Sequence, residues 1–209
     1  HAAKNKVKIL VLPELVLTAY TCNDLFLQKT LLQDAKLQLG CILEETKTID
    51  MVIVIGMPLT VDHKLYNCAL FIHKGRILGV VPKHNLPNYS EFYEVRHFAP
   101  GKKAVEYIRL LEQDVPFGMN ILFCCENIEE LIIAAEICED LWVPLPPSTY
   151  HALAGATVIC NPSASDETTT KESYRRNLVN SQAARLVCGY IYSSAGEGES
   201  TQDLVFSGH

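Results

Sequence analysis

The sequence predicts an α/β fold on three observations: short buried-type apolar runs recur along the chain, segments of helical period lie between several of them, and no linker or repeat divides the whole. The first run, "KVKILVLPE" at 6–14, reads as a strand. It is followed by "NDLFLQKTLLQDAKLQLGCILEET" at 23–46, which carries helical period with Asp24 near its start. "IDMVIVIGMPL" at 49–59 is a second buried strand. "LYNCALFIHKGRILGVVPK" at 65–83 holds two strands around the turn "HKGR", where Gly75 can take positive φ, so a hairpin is expected. A polar, aromatic loop at 84–101 precedes two further strands, "MNILFCC" at 119–125 and "ELIIAAEIC" at 130–138. A short helix is expected at "STYHALAGA", a strand at "TVICN", and an amphipathic helix at "KESYRRNLVNSQAARLV". "CGYIYSSAG" and "DLVFSG" complete the set as strands.

Composition narrows the class of partner. Hydrophobic residues make up 48% and charged residues 20% of the 209, an ordinary globular balance long enough for a full core. Net charge is −6 with the basic residues dispersed, which argues against nucleic acid and anionic membrane as partners. No apolar run approaches the roughly 20 residues of a membrane helix, and the N-terminus lacks a signal-peptide pattern. A cytoplasmic protein is the expectation. The eight cysteines show no C-x-x-C pair or zinc-type Cys/His spacing and fall mostly in apolar runs, so reduced core thiols are expected rather than a disulfide framework or a metal site. The opening "HAAKNK" resembles the last turn of a helix and "VFSGH" follows a strand directly, so the single domain 1–209 is expected to be truncated at both ends.

Three reactive side chains stand at predicted strand ends. Cys138 closes "ELIIAAEIC" and precedes the acidic, proline-rich "EDLWVPLPPS". A free thiol is only a few per cent ionised near neutrality, so a nucleophilic cysteine needs a base or a cation beside it. Glu14 closes "KILVLPE", where a carboxylate after an apolar strand is costly unless paired or raised in pKa, and a raised pKa makes it a useful base. Lys83 closes "ILGVVPK" and can supply a fixed positive charge to a thiolate or an oxyanion. Open sheets bring strand ends to shared crevices, so the coincidence of Glu, Lys and Cys says more than any one of them. A Cys-His pair using His84 or His97 stays open, as does a plain buried thiol at 138.

The segments "LPELVLTAYTCNDLF", "VPKHNLPNYSEFYEVRHFAPG", "ICEDLWVP", "CNPSASDETTTKESYRR" and "YSSAGEGESTQDLVF" resemble the glutaminase domain of bacterial glutamine-dependent NAD synthetases, a branch of the nitrilase, or carbon-nitrogen hydrolase, superfamily. The resemblance implies a four-layer α-β-β-α sandwich and a Glu-Lys-Cys triad. Glu14 would be the general base, Cys138 the nucleophile and Lys83 the cation at the tetrahedral intermediate, with the backbone N–H of Glu139 as second oxyanion donor. Glu94 resembles the second glutamate that orients the lysine. Tyr20, Tyr89, Ser165 and Lys171 resemble positions lining the glutamine pocket and the ammonia exit. Glutamine is then the substrate, no metal or organic cofactor is required, and ATP and magnesium belong to a synthetase domain that this chain lacks, since neither an "SGGxDS"-like nor a P-loop segment occurs. The resemblance also implies homo-oligomers.

Two positions depart from that pattern. The family commonly has glycine where this chain has Ala19, which would cost about 1 kcal/mol if φ is positive there. Lys171 stands where many members carry arginine, replacing a bidentate grip on a carboxylate with a point charge. Two other readings compete: a stand-alone amidase of the superfamily acting on another small amide, and a catalytically silent scaffold.

Overall fold

The computed structural model describes residues 1–201 and 203–208. Two sheets face each other. The first has six strands: β1 (Ile9–Val11), β2 (Val52–Val61), β3 (Lys64–His73), β4 (Arg76–Pro82), β5 (Glu106–Leu110) and β6 (Gln113–Phe117), in the order β1-β2-β3-β4-β6-β5. The second has four: β7 (Phe123–Cys124), β8 (Ile132–Ala135), β9 (Val158–Ser163) and β10 (Gly189–Ser194), in the order β10-β9-β8-β7. Pairs β1–β2, β4–β6, β8–β9 and β9–β10 are parallel and the rest antiparallel, so both sheets are mixed.

Alternation along β2 and β3 builds the layers. Ile53, Ile55, Met57 and Leu59 face α1 (Lys29–Glu45) and meet its Ala35, Leu39 and Leu43, while Val54, Ala69 and Phe71 face the second sheet and meet Ile133, Ala135 and Cys160. Both faces of these strands are therefore buried, which is why they read as continuous apolar runs. On the far side of the second sheet, α3 (Pro147–Leu153) contacts β8 and α4 (Lys171–Leu186) contacts β10, with Ala134, Ile159 and Ala156 packed between. The order α1, sheet, sheet, α3 and α4 is a four-layer α-β-β-α sandwich.

Four local expectations are corrected. The helix expected at 23–46 begins at Lys29. Residues Tyr20–Leu27 form irregular 3-10 turns interrupted by Asn23 at φ 47°, and Asp24 pairs with Arg96 and His97 instead of capping a helix. The run 119–125 contributes only Phe123 and Cys124 to a sheet. Residues 204–208 form no strand: Val205 O accepts from Glu167 N–H and Gly208 N–H donates to Ala195 O, isolated bonds rather than a ladder. The hairpin β5–β6 has no counterpart among the expected elements, because Glu106, Arg109 and Asp114 interrupt any apolar run on this edge. The turn after β3 is as expected, with Lys74 and Gly75 at φ 47° and 75°. Among the described residues all eight cysteines are free thiols, and no helix is long and apolar enough to cross a membrane.

Candidate active site

The ends of β1, β4, β8 and β9 meet where the two sheets face each other. Past β1, the chain turns through Pro13–Leu15 directly against Gly56 of β2. A Cβ at Gly56 would lie 2.3 Å from Leu15 N and 2.7 Å from Pro13 O, so only glycine admits this turn. The turn delivers Glu14 to the interior with 0% exposure. Its Oε1 accepts from Lys83 Nζ at 2.7 Å and from Asn67 Nδ2 at 2.6 Å, and its Oε2 from the Ala164 N–H at 2.9 Å.

Lys83 leaves β4 with its own N–H on Asn67 O, and its side chain is also 0% exposed. Besides Glu14, its ammonium donates to Glu94 Oε1 at 2.5 Å, and Tyr20 Oη donates to that same oxygen at 2.8 Å. Glu94 opens the single helical turn α2 (Glu94–His97). Burial raises the Glu94 carboxyl to about 7 against the pull of Lys83, and its other oxygen has no partner among the described residues. For Lys83, burial works downward, but Glu14 and Glu94 outweigh it and hold the ammonium above its ordinary range. One lysine thus serves two buried carboxyls, and burial leaves Glu94 poised to hold a proton near neutrality.

Cys138 comes from the second sheet. The chain leaves β8 at Glu136, whose N–H donates to Cys160 O, and enters a 3-10 turn over Cys138–Leu141. Cys138 itself sits at φ 45°, a left-handed conformation that costs on the order of 1 kcal/mol for a non-glycine residue. Its N–H donates to Asn161 Oδ1 at 3.0 Å, which also accepts from Ser163 Oγ at 2.7 Å. Asp140 braces the turn: one carboxylate oxygen accepts from the Ile137 N–H, the other from both nitrogens of Asn85, two residues beyond Lys83. The thiol is 5% exposed. Burial raises its pKa, the Glu14 charge raises it further, and Lys83 opposes both, so the resting group is a thiol lying in the field of Glu14 and Lys83.

The remaining sequence-read residues border this centre in different ways. Tyr89, half exposed, donates its hydroxyl to the Glu139 carboxylate, next to the cysteine. The Glu139 N–H has no acceptor among the described residues. Ser165 is buried and accepts from Arg175 at 3.2 Å, while Tyr20 is committed to Glu94 rather than left open to a ligand. Lys171 pairs with Asp166, its ammonium 5.6 Å from the Phe92 ring and 5.7 Å from that of Trp142. His84 is hydrogen-bonded through Nδ1 to Gly101 O and His97 through Nε2 to Asp24.

Sequence reasoning missed Asn67, Asp140, Asn161 and the Ala164 amide. A signal existed for the two asparagines: each interrupts an apolar strand run, and a buried amide there demands specific hydrogen bonds.

A family model described as carbon-nitrogen hydrolase matches residues 1–209. The glutamine-dependent NAD(+) synthetase of Mycobacterium tuberculosis is 45% identical over 198 residues, covering 95% of this chain and 29% of that protein. The crystal structure of a glutamine-dependent NAD(+) synthetase from Cytophaga hutchinsonii matches at a TM-score of 0.81 and 31% identity, over 92% of this chain and 31% of that one. An amidase from Nesterenkonia sp. shares the fold at a TM-score of 0.72 and 18% identity, over 98% of this chain and 68% of that one. The chain spans less than a third of the length of these synthetases.

Proposed function

The chain belongs to the carbon-nitrogen hydrolase family, and from that premise we propose that it is the glutaminase part of a glutamine-dependent NAD(+) synthetase. The observation that carries this reading is the buried cluster of Lys83 with Glu14 and Glu94, set in the field of the Cys138 thiol. The resemblance to synthetases over nearly the whole chain supplies the substrate class.

Glutamine is the amide. Because the resting thiol is protonated, deprotonation and attack proceed together: Glu14 takes the Sγ proton as sulfur bonds to the side-chain amide carbon. The carbonyl π pair moves onto oxygen, where Lys83 Nζ and the Glu139 N–H stabilise it. As the C–N bond breaks, Glu14 returns its proton to the leaving nitrogen, releasing ammonia and leaving a thioester. Water then adds, giving its proton to Glu14, and the thiol leaves with that proton as glutamate forms. Thiol, carboxylate and ammonium complete the cycle without a metal or organic cofactor. Lys171, Ser165, Tyr89 and Glu139 serve substrate binding, while Tyr20 and Glu94 support Lys83. ATP and magnesium act at the synthetase domain of the full enzyme, which receives the ammonia and amidates nicotinate adenine dinucleotide, and the whole assembles as a homo-oligomer.

The test uses an electrophilic glutamine analogue on the native-length protein, with intact mass and peptide mapping. One label at Cys138, blocked by glutamine and not by acetamide, is the expected result. Glutaminase activity should fall by at least about 10⁴-fold in Cys138→Ala and about 10²- to 10⁴-fold in Glu14→Gln. Labels scattered over several of the eight cysteines, or equal protection by acetamide, would refute the reading.

A further inference from the structure

A second set of buried polar groups lies behind the nucleophile and takes no part in the reaction as derived. Glu136, two residues before Cys138, is 1% exposed and points to the side of the second sheet that α3 and α4 cover. Its Oε1 accepts from Tyr190 Oη at 2.5 Å and its Oε2 from the Ser148 N–H at 2.8 Å. The Tyr190 oxygen in turn accepts from Asn161 Nδ2 at 2.9 Å, and Asn161 Oδ1 accepts the Cys138 N–H. Gln182 of α4 completes the series by donating to Ser148 Oγ at 3.0 Å.

We propose that Glu136, Tyr190 and Asn161 form a positioning relay that dictates which way the Asn161 amide faces and thereby holds the Cys138 backbone in its reactive, left-handed turn. Direction is the central point. In its ionised form, the one populated above about pH 7, Glu136 has only acceptors, so the tyrosine hydroxyl has to donate its only hydrogen to one of them. Burial and the nearby Glu136 raise the Tyr190 pKa well above its ordinary value, which keeps that hydrogen in place. The tyrosine oxygen can then only accept, which forces the NH₂ end of Asn161 toward it and the carbonyl end toward Cys138.

With the Cys138 N–H consumed by Asn161, the Glu139 N–H is the backbone donor left over at the turn. Without the tyrosine hydroxyl the NH₂ end of Asn161 loses its acceptor, and only the Cys138 N–H and Ser163 Oγ still select the carbonyl end. The anchor of the strained φ of 45° would then be loosened.

The kinetic part of this inference rests on the glutaminase reading above; a second measurement does not. In native-length Tyr190→Phe, which removes one oxygen atom, kcat for glutamine hydrolysis should fall about 10- to 100-fold, with KM changed less than about threefold. Alkylation of Cys138 by iodoacetamide proceeds by direct displacement at carbon and forms no oxyanion, so its rate should stay within about threefold. Hydrogen exchange at the Cys138 amide should quicken by about tenfold or more. Unchanged kcat with unchanged exchange overturns the relay. So does a parallel loss of hydrolysis and alkylation, which would mean general damage to the site. A wild-type protein inert toward glutamine would sink the glutaminase reading alone, and the exchange rates would then decide the relay: faster in Tyr190→Phe supports it, equal rates overturn it.

Discussion

The two sheets supply opposite kinds of chemistry to one site. From the six-stranded sheet come charges: Glu14 after β1, Lys83 after β4 and Glu94 beyond it, all buried and bound to one another by ion pairs. From the four-stranded sheet comes a strained turn that carries an uncharged thiol: Cys138 at φ 45°, held by the Asn161 amide and braced by Asp140. Charges removed from water are costly unless each finds a partner, so the first half is locked by mutual need. The second half is held by directional hydrogen bonds, which fix geometry at less energetic risk. The two sheets thus hold one site by different means, mutual charge on the first and directional hydrogen bonds on the second.

That division is broken most severely at Lys83. Lys83→Met leaves two buried carboxyls without a cation and is expected to cost about 3–5 kcal/mol in urea unfolding, whereas Cys138→Ala should cost about 1 kcal/mol while abolishing activity. Comparable losses in the two variants would erase the distinction. A smaller effect follows from pH. Burial raises Glu94 and Glu136 to about 7, whereas the unfolded chain titrates such groups near 4.5. Between those values the folded protein binds more protons than the unfolded one, so their contribution is full below about 4.5 and is lost as pH rises through 7. The unfolding free energy from urea titration should therefore fall between pH 5 and pH 7.5, by roughly 2 kcal/mol for each group. The exposed Asp24 and Asp50, whose carboxyls their basic neighbours hold below the usual range, act in the opposite sense but only at lower pH. Glu94→Gln and Glu136→Gln, measured separately, would show which sheet stores the protons; a slope unchanged in both would count against the assignment. Smallest is the effect at Ala19, which sits at φ 82°, ψ 149°, a conformation open essentially to glycine alone. Ala19→Gly should stabilise the protein by about 1 kcal/mol, raising Tm by about 2–4 °C. A lower Tm would show that this loop carries no strain.

Where burial was two-sided, the sequence was easy to read. β2, β3, β4 and β9 announce themselves as unbroken apolar runs because a layer covers each face, and Glu14, Lys83 and Cys138 stood out as reactive groups ending such runs. The hairpin β5–β6 was silent for the opposite reason: an edge with charged residues carries no such run. Asp24 looked like a helix start because local spacing favours one, but Arg96 and His97, distant in sequence, claimed its carboxylate. Local pattern holds only where no long-range partner competes for the same atom.

By itself, then, the chain's order of residues determined the α/β class, the strands buried on both faces and the three strand-end groups, because hydrophobic period and the chemistry of individual side chains are local properties. Only the tertiary structure decided that Lys83 is shared between Glu14 and Glu94, that the cysteine turn is left-handed, and that Asn161, Asp140 and Tyr190 stand behind it. Several of those facts depend on atoms brought together from segments more than 50 residues apart, such as Tyr190 and Glu136 or Asn85 and Asp140, and a hydrogen bond is specified by distance and direction that no spacing along the chain encodes.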